Sequence, residues 1–162
     1  VTALTRRNIV IAVSAAFVVA TTGGLLTELG PWYQALRVPA WKPPDWAFGP
    51  IWTTIFALTT WAGLRGWRDA TDSSYRIRLL VLLALNAASN ILWSVLFFKM
   101  YRPDWAFVEV WLLWTSVLGL LGLLGRTSRL SAALMVPYLA WVSTAAYLNY
   151  SIIELNGPFA GR

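Results

Sequence analysis

The chain has 162 residues, 58% of them hydrophobic and 12% charged, with a net charge of +6. Its mean hydropathy of +0.59 lies outside the range of soluble domains and describes an integral membrane protein, in which a basic excess orients segments against lipid headgroups instead of binding nucleic acid. Cysteine and histidine are both absent, which excludes disulfides, thiolate chemistry, a His-based triad, the usual zinc sites, and imidazole or thiolate ligation of haem iron, so no metal is expected.

A membrane-crossing helix takes about 20 apolar residues, and five such runs fill the chain. The first, residues 8–26, follows Arg6-Arg7. Basic residues, an apolar run and small residues in that order also describe a signal peptide. Against that alternative, Ala12, Ala16, Ala20 and Gly24 fall four apart, a stripe that lets membrane helices approach closely and that a cleaved segment does not need.

The connection over residues 27–49 carries Trp32, Tyr33, Arg37 and Lys42, and then Pro39-Ala-Trp-Lys-Pro-Pro-Asp-Trp-Ala-Phe-Gly-Pro. Paired prolines fix φ and remove donors, so this is a stiff linker, and Gly49-Pro50 predicts a helix starting at residue 50. A long loop with aromatic anchors acts as a lid, or else as an interfacial aromatic belt.

In the second span, residues 50–67, Phe48, Trp52 and Phe56 recur every four residues along one face. A polar turn with Asp69, Asp72, Ser73 and Ser74 follows, flanked by Arg65, Arg68, Arg76 and Arg78. The third span, residues 77–98, places Asn86, Asn90 and Trp93 on one face. Amides in hydrocarbon need partners, so this face meets either another helix or a ligand-filled cavity. Asp104 is the predicted N-cap of the fourth span, residues 105–124. Glu109 lies one turn inside, where the helix dipole favours a carboxylate, either a structural charge or one that meets a polar ligand group, and Trp111 and Trp114 are read as facing lipid. The fifth span, residues 130–153, is expected to bend at Pro137, with Trp141, Ala145 and Leu148 along one side.

Five spans put the two termini on opposite faces of the membrane. Arg6, Arg7, Arg65, Arg68, Arg76, Arg78, Arg126 and Arg129 share the N-terminal side, against Arg37, Lys42, Lys99, Arg102 and Arg162 on the other. This excess places the N-terminus in the cytoplasm. The expected architecture is one all-α domain over residues 1–162, a five-transmembrane-helix bundle with a long aromatic and proline-rich loop between its first two helices.

Eleven tryptophans, the phrase Trp41-Lys-Pro-Pro with Phe48-Gly-Pro-Ile-Trp52, then Asn90-Ile-Leu-Trp93, Phe97-Phe98, Trp105-Ala106 and Pro137-Tyr-Leu-Ala-Trp141 with Leu148-Asn149-Tyr150 resemble the translocator protein family, called tryptophan-rich sensory proteins in bacteria. The resemblance runs from Gly23 to Tyr150. It implies a multi-pass protein of a bacterial cell membrane, commonly a homodimer, whose cavity beneath the first loop binds porphyrins. Carried over by position, the implied ligand-binding residues are Tyr33, Trp52, Asn86, Asn90, Trp93, Trp105, Val108, Leu112, Trp141, Ala145 and Leu148. Glu109 holds a place that is acidic in some relatives. Asn86 stands where the family usually has glutamine, and Phe56 where a tyrosine is common. Tyr150 is followed by Ser-Ile-Ile-Glu-Leu, which leaves the sterol pattern of animal members incomplete.

The expected function is therefore a receptor with a regulatory or stress-sensing role, holding protoporphyrin IX or a related tetrapyrrole among its tryptophans, with Lys42 and Arg37 as partners for propionates. No cofactor is obligatory. Two alternatives stand beside it: a light- and oxygen-dependent porphyrin-degrading enzyme using Trp52 and Trp141 as its candidate catalytic residues, and a transporter of tetrapyrrole or lipid.

Overall fold

The computed structural model describes residues 3–159, and Arg162, one of the charges counted on the far side, lies outside them. The described residues form helices without strands. Helix α1 is Arg6–Leu26, with the Thr5 hydroxyl accepting from the Asn8 amide as its cap. A single turn, α2 (Pro31–Gln34), interrupts the first loop. Then come α3 (Asp45–Arg68) and α4 (Ser73–Ser94), the latter capped by Asp72, whose side chain accepts from the Tyr75 amide. A π-helical turn, Val95–Lys99, extends α4. The chain finishes with α5 (Pro103–Gly125), the short α6 (Arg129–Ala133) and α7 (Val136–Asn156).

Among the described residues, four stretches are long and apolar enough to cross a membrane: Arg6–Leu26, Ser73–Lys99, Pro103–Gly125 and Arg129–Asn156. Helix α3 has 24 residues, yet its four tryptophans and four threonines hold its hydropathy below that of the others.

Three local expectations are corrected. Helix α3 starts at Asp45, after an extended Pro44, so Pro50 sits in its second turn. Only the first turn has amides without helical partners, so Pro50 deprives the Trp46 carbonyl of its usual donor. Helix α5 starts at Pro103 with Arg102 in the capping place. Asp104 lies inside the first turn and accepts from Arg102 Nε at 2.8 Å. The last span breaks at Leu134 and Met135, because Pro137 cannot donate to the Ala133 carbonyl.

Two cores stack along the bundle. The larger joins α3, α4, α5 and α7 through Ile55, Leu79, Val117, Leu120, Met135 and Tyr138. The smaller, under the first loop, joins Leu96, Phe97, Phe98, Ala106, Leu148 and Ile152. The wider π turn lets the consecutive Leu96, Phe97 and Phe98 all be buried. Helix α1 packs on α3 and α4 by a half-buried line that includes Ala12, Ala16, Val19 and Gly23, and it has no buried residue.

At the opposite end from the first loop, Arg65 Nε donates to Ser131 Oγ at 3.3 Å and Tyr75 bonds Thr127 at 3.0 Å. Gly66 is buried there, and a Cβ on it would strike the Leu124 side chain and lie 3.4 Å from Leu79 and from Tyr75 Oη. Leu124 and Leu79 are each 1% exposed and have no room to retreat. Gly66→Leu is therefore expected to destabilise the bundle by about 1–3 kcal/mol, read as a lowered melting temperature in detergent.

Candidate ligand cavity

Between the two cores lies a hollow of about 500 Å³, walled by α3, α4, α5 and α7, flanked by α1 and roofed by the first loop. That volume is within the range of small-molecule sites. Its lining is mainly aromatic. Trp52 stacks on Phe56 with ring centres 5.5 Å apart, and Trp93 on Phe97 at 5.0 Å. Phe48 meets Trp141 edge-on at 5.5 Å.

The polar groups beneath and beside the rings form two hydrogen-bonded sets. Trp93 Nε1 donates to Asn149 Oδ1 at 3.2 Å, and Asn149 Nδ2 donates to the Pro103 carbonyl at 2.9 Å. Deeper in the bundle, Tyr138 Oη donates to Asn86 Oδ1 at 3.1 Å and receives Asn90 Nδ2 at 3.4 Å, while Asn86 Nδ2 donates to Ser116 Oγ at 3.0 Å. Trp141 Nε1 is the exception, buried without a hydrogen-bond partner among the described residues. An unsatisfied buried donor of this kind costs about 1–3 kcal/mol.

The roof is fastened on several sides. Tyr33 Oη donates to Asp45 Oδ1 at 2.7 Å, and Lys42 Nζ pairs with the same oxygen at 2.5 Å while lying 5.7 and 5.8 Å from the Tyr33 and Phe48 ring centres. Burial and the neighbouring Asp45 carboxylate push the Tyr33 phenol well above its ordinary pKa, so it stays a hydrogen-bond donor. Asn156 grips the Arg37 backbone twice, accepting from its amide and donating to its carbonyl, both at 2.8 Å. Lys99 pairs with Glu28, and Trp41 stacks on Tyr147 at 5.2 Å.

Of the residues singled out from the sequence, Tyr33, Trp52, Asn90, Trp93, Trp141, Ala145 and Leu148 border this one hollow. Asn86 does not; it is buried one turn deeper, its amide used between helices. Trp105, Val108 and Leu112 do not either, being 50%, 72% and 52% exposed on the outer side of α5. Helix α5 turns Ala106, Val110, Leu113 and Val117 inward, and Val108 and Leu112 fall off that line by the 3.6-residue period. Trp105 instead packs under the Arg102 guanidinium, 4.4 Å from its ring centre. Lys42 borders the hollow, whereas Arg37 is held away from it by Asn156.

Glu109 faces neither lipid nor hollow. It is buried beside Ser89 of α4, and neither carboxylate oxygen has a close hydrogen-bond partner among the described residues. Trp111 is 49% exposed, and Trp114 donates to Ser143 Oγ at 3.0 Å. Sequence reasoning missed Phe97 and Asn149 as parts of the site. The signal for Asn149 was present, since an amide in an apolar span needs a partner wherever it occurs.

The family model described as TspO/MBR family matches residues 11–155. Among curated proteins, the chain is 36% identical over 129 residues to "Tryptophan-rich protein TspO" of Chlorobaculum tepidum, covering 77% of this chain and 79% of that one. It is 33% identical over 133 residues to "Protein CrtK" of Rhodobacter capsulatus, covering 82% and 83%. It is 34% identical over 133 residues to "Translocator protein" of Sus scrofa, covering 81% and 79%.

Proposed function

This chain belongs to the TspO/MBR family of integral membrane proteins, and on that premise we propose that its hollow binds a porphyrin such as protoporphyrin IX. The observation that carries the proposal is the convergence of Trp52, Trp93 and Trp141 from three helices on one cavity. A flat macrocycle offers its faces to these rings. Lys42 in the roof supplies a cation for a propionate, in exchange for its pairing with Asp45. Stacking and burial of this kind support micromolar affinity, about −8 kcal/mol. Binding under the fastened loop then serves a regulatory or stress-sensing role, the ligand adding its own contacts to the closed roof.

The same proposal makes α3 the fifth crossing. Thr53, Thr54 and Thr60 each return their hydroxyl to the carbonyl four residues back, at 2.9, 2.9 and 2.7 Å, so these groups reach hydrocarbon already satisfied. The arginine-rich end with Arg65, Arg68, Arg126 and Arg129 then faces the cytoplasm of a bacterial cell with the N-terminus. A homodimer would use the exposed Ala84 and Ala88 face of α4, since the α1 stripe at Ala12 and Ala16 is half-buried against its own bundle.

Protoporphyrin IX titrated into the reconstituted chain is expected to quench tryptophan fluorescence saturably. Trp141→Phe replaces the indole with a smaller ring, and is expected to weaken binding about three- to tenfold through lost ring contact. Absence of quenching in the parent chain defeats the proposal.

A further inference from the structure

The hollow is closed on most sides and open on one. Its lining from α4 (Asn90, Trp93, Ser94, Phe97, Phe98) and from α7 (Trp141, Val142, Ala145, Leu148, Asn149, Ile152) is buried or half-buried throughout. By contrast, Ala20, Gly24 and Thr27 of the α1 side, Leu29 just beyond it, and Gly49 and Thr53 of α3 border the same hollow and are exposed. On both helices these residues sit at the edge of the packing face, next to the half-buried Gly23 and Phe56. The opening is therefore a seam between α1 and α3. Apart from Leu29 at its top, its edges are small, and a Cβ added at Gly23, Gly24 or Gly49 would meet nothing within 4 Å.

The seam's depth decides what it opens to. Ala20 lies six residues before the end of a helix apolar enough to span a membrane, about 9 Å below that end at 1.5 Å per residue. It thus faces hydrocarbon, not water. The route through the roof is fastened by Asn156 on Arg37, Tyr33 on Asp45, Lys99 on Glu28 and Trp41 on Tyr147. Helix α1, which forms one side of the seam, has no buried residue and is the least anchored wall.

We infer that the cavity is a lateral one, loaded from the adjoining bilayer leaflet through the α1–α3 seam by a flat apolar ligand already dissolved in lipid, while the first loop stays closed. This rests on the reading of the hollow as a porphyrin site. Polar ligands confined to water are excluded by the same arrangement, so partition into lipid becomes part of the selectivity.

The test uses the full chain in phosphatidylcholine vesicles, with protoporphyrin IX as the probe and tryptophan quenching followed by stopped flow. Gly24→Leu combined with Thr53→Leu narrows the seam from both edges without a clash at Gly24. The association and dissociation rates are expected to fall together by about tenfold, as for a narrowed passage, so that Kd changes far less than either rate. Unchanged association, or a rise in dissociation alone, overturns the inference, the latter because it marks a spoiled site and not a narrowed passage. Faster association on freeing the loop with Asn156→Ala, beside parent-like rates in the seam variant, also overturns it and moves the route to the roof. No quenching in the parent chain defeats the porphyrin reading itself, a result distinct from a slow or fast seam.

Discussion

Replacing both Trp52 and Trp141 by alanine is expected to weaken protoporphyrin IX binding at least about a hundredfold, since buried aromatic anchors typically contribute about 2 kcal/mol or more each and 1.4 kcal/mol is tenfold. Both rings border the hollow from different helices. Trp52 is braced by stacking on Phe56 and by an edge contact with Tyr138 at 6.0 Å, and Trp141 by the edge of Phe48. Their removal therefore takes away two walls without displacing the supports behind them. Isothermal or fluorescence titration reads the loss, and a melting curve of the free protein separates it from unfolding. If the double variant binds within a few-fold of the parent, the ligand lies elsewhere.

Asn149→Leu is expected to lower both stability and affinity. The side chain is 1% exposed and serves two partners at once, Trp93 Nε1 and the Pro103 carbonyl. Leucine fills similar volume but leaves the part-buried indole N–H unpaired, at about 1–3 kcal/mol, and strips the carbonyl of its second donor. The Trp93 ring, freed from its tether, loses its set position against Phe97. The melting temperature should fall, and porphyrin binding should weaken with it. Asn149→Asp preserves the acceptor for Trp93 while losing the donor, so partial recovery of affinity in that variant would trace the effect to Trp93. Equal affinity in parent and leucine variant would show that Trp93 needs no such support.

Much of the arrangement was legible in the sequence where polar and apolar residues alternate with helical period. Asn90 and Trp93 share a face because amides cannot face lipid, and Trp141, Ala145 and Leu148 follow from the same spacing. Helix α5 resisted such reading. Its mean hydropathy is 1.9, and apart from Glu109, Thr115 and Ser116 its central turns are apolar all round, so the apolar residues carry no phase of their own: Val108 and Leu112 toward lipid look the same as Val110 and Leu113 toward the hollow. The start of α3 was misplaced for a different reason. Two Pro-containing stretches, Pro43-Pro44 and Gly49-Pro50, both carry the chemistry of a helix entrance, and only packing selects the earlier. Asn86 was assigned to the ligand by analogy, whereas its geometry belongs to helix assembly.

The buried amide and hydroxyl groups at Asn86, Asn90, Ser116, Tyr138 and Asn149 also fix how the helices are keyed to one another. In a bilayer, greasy surfaces pay no penalty for parting, and one leucine-rich face slides along another almost indifferently. Directional bonds remove that indifference. Sliding α7 by one residue, or rotating α4 by a third of a turn, would strand several of these groups in hydrocarbon at once. The bundle thus has a single allowed registry, and the tryptophans above it inherit their mutual spacing from that lock.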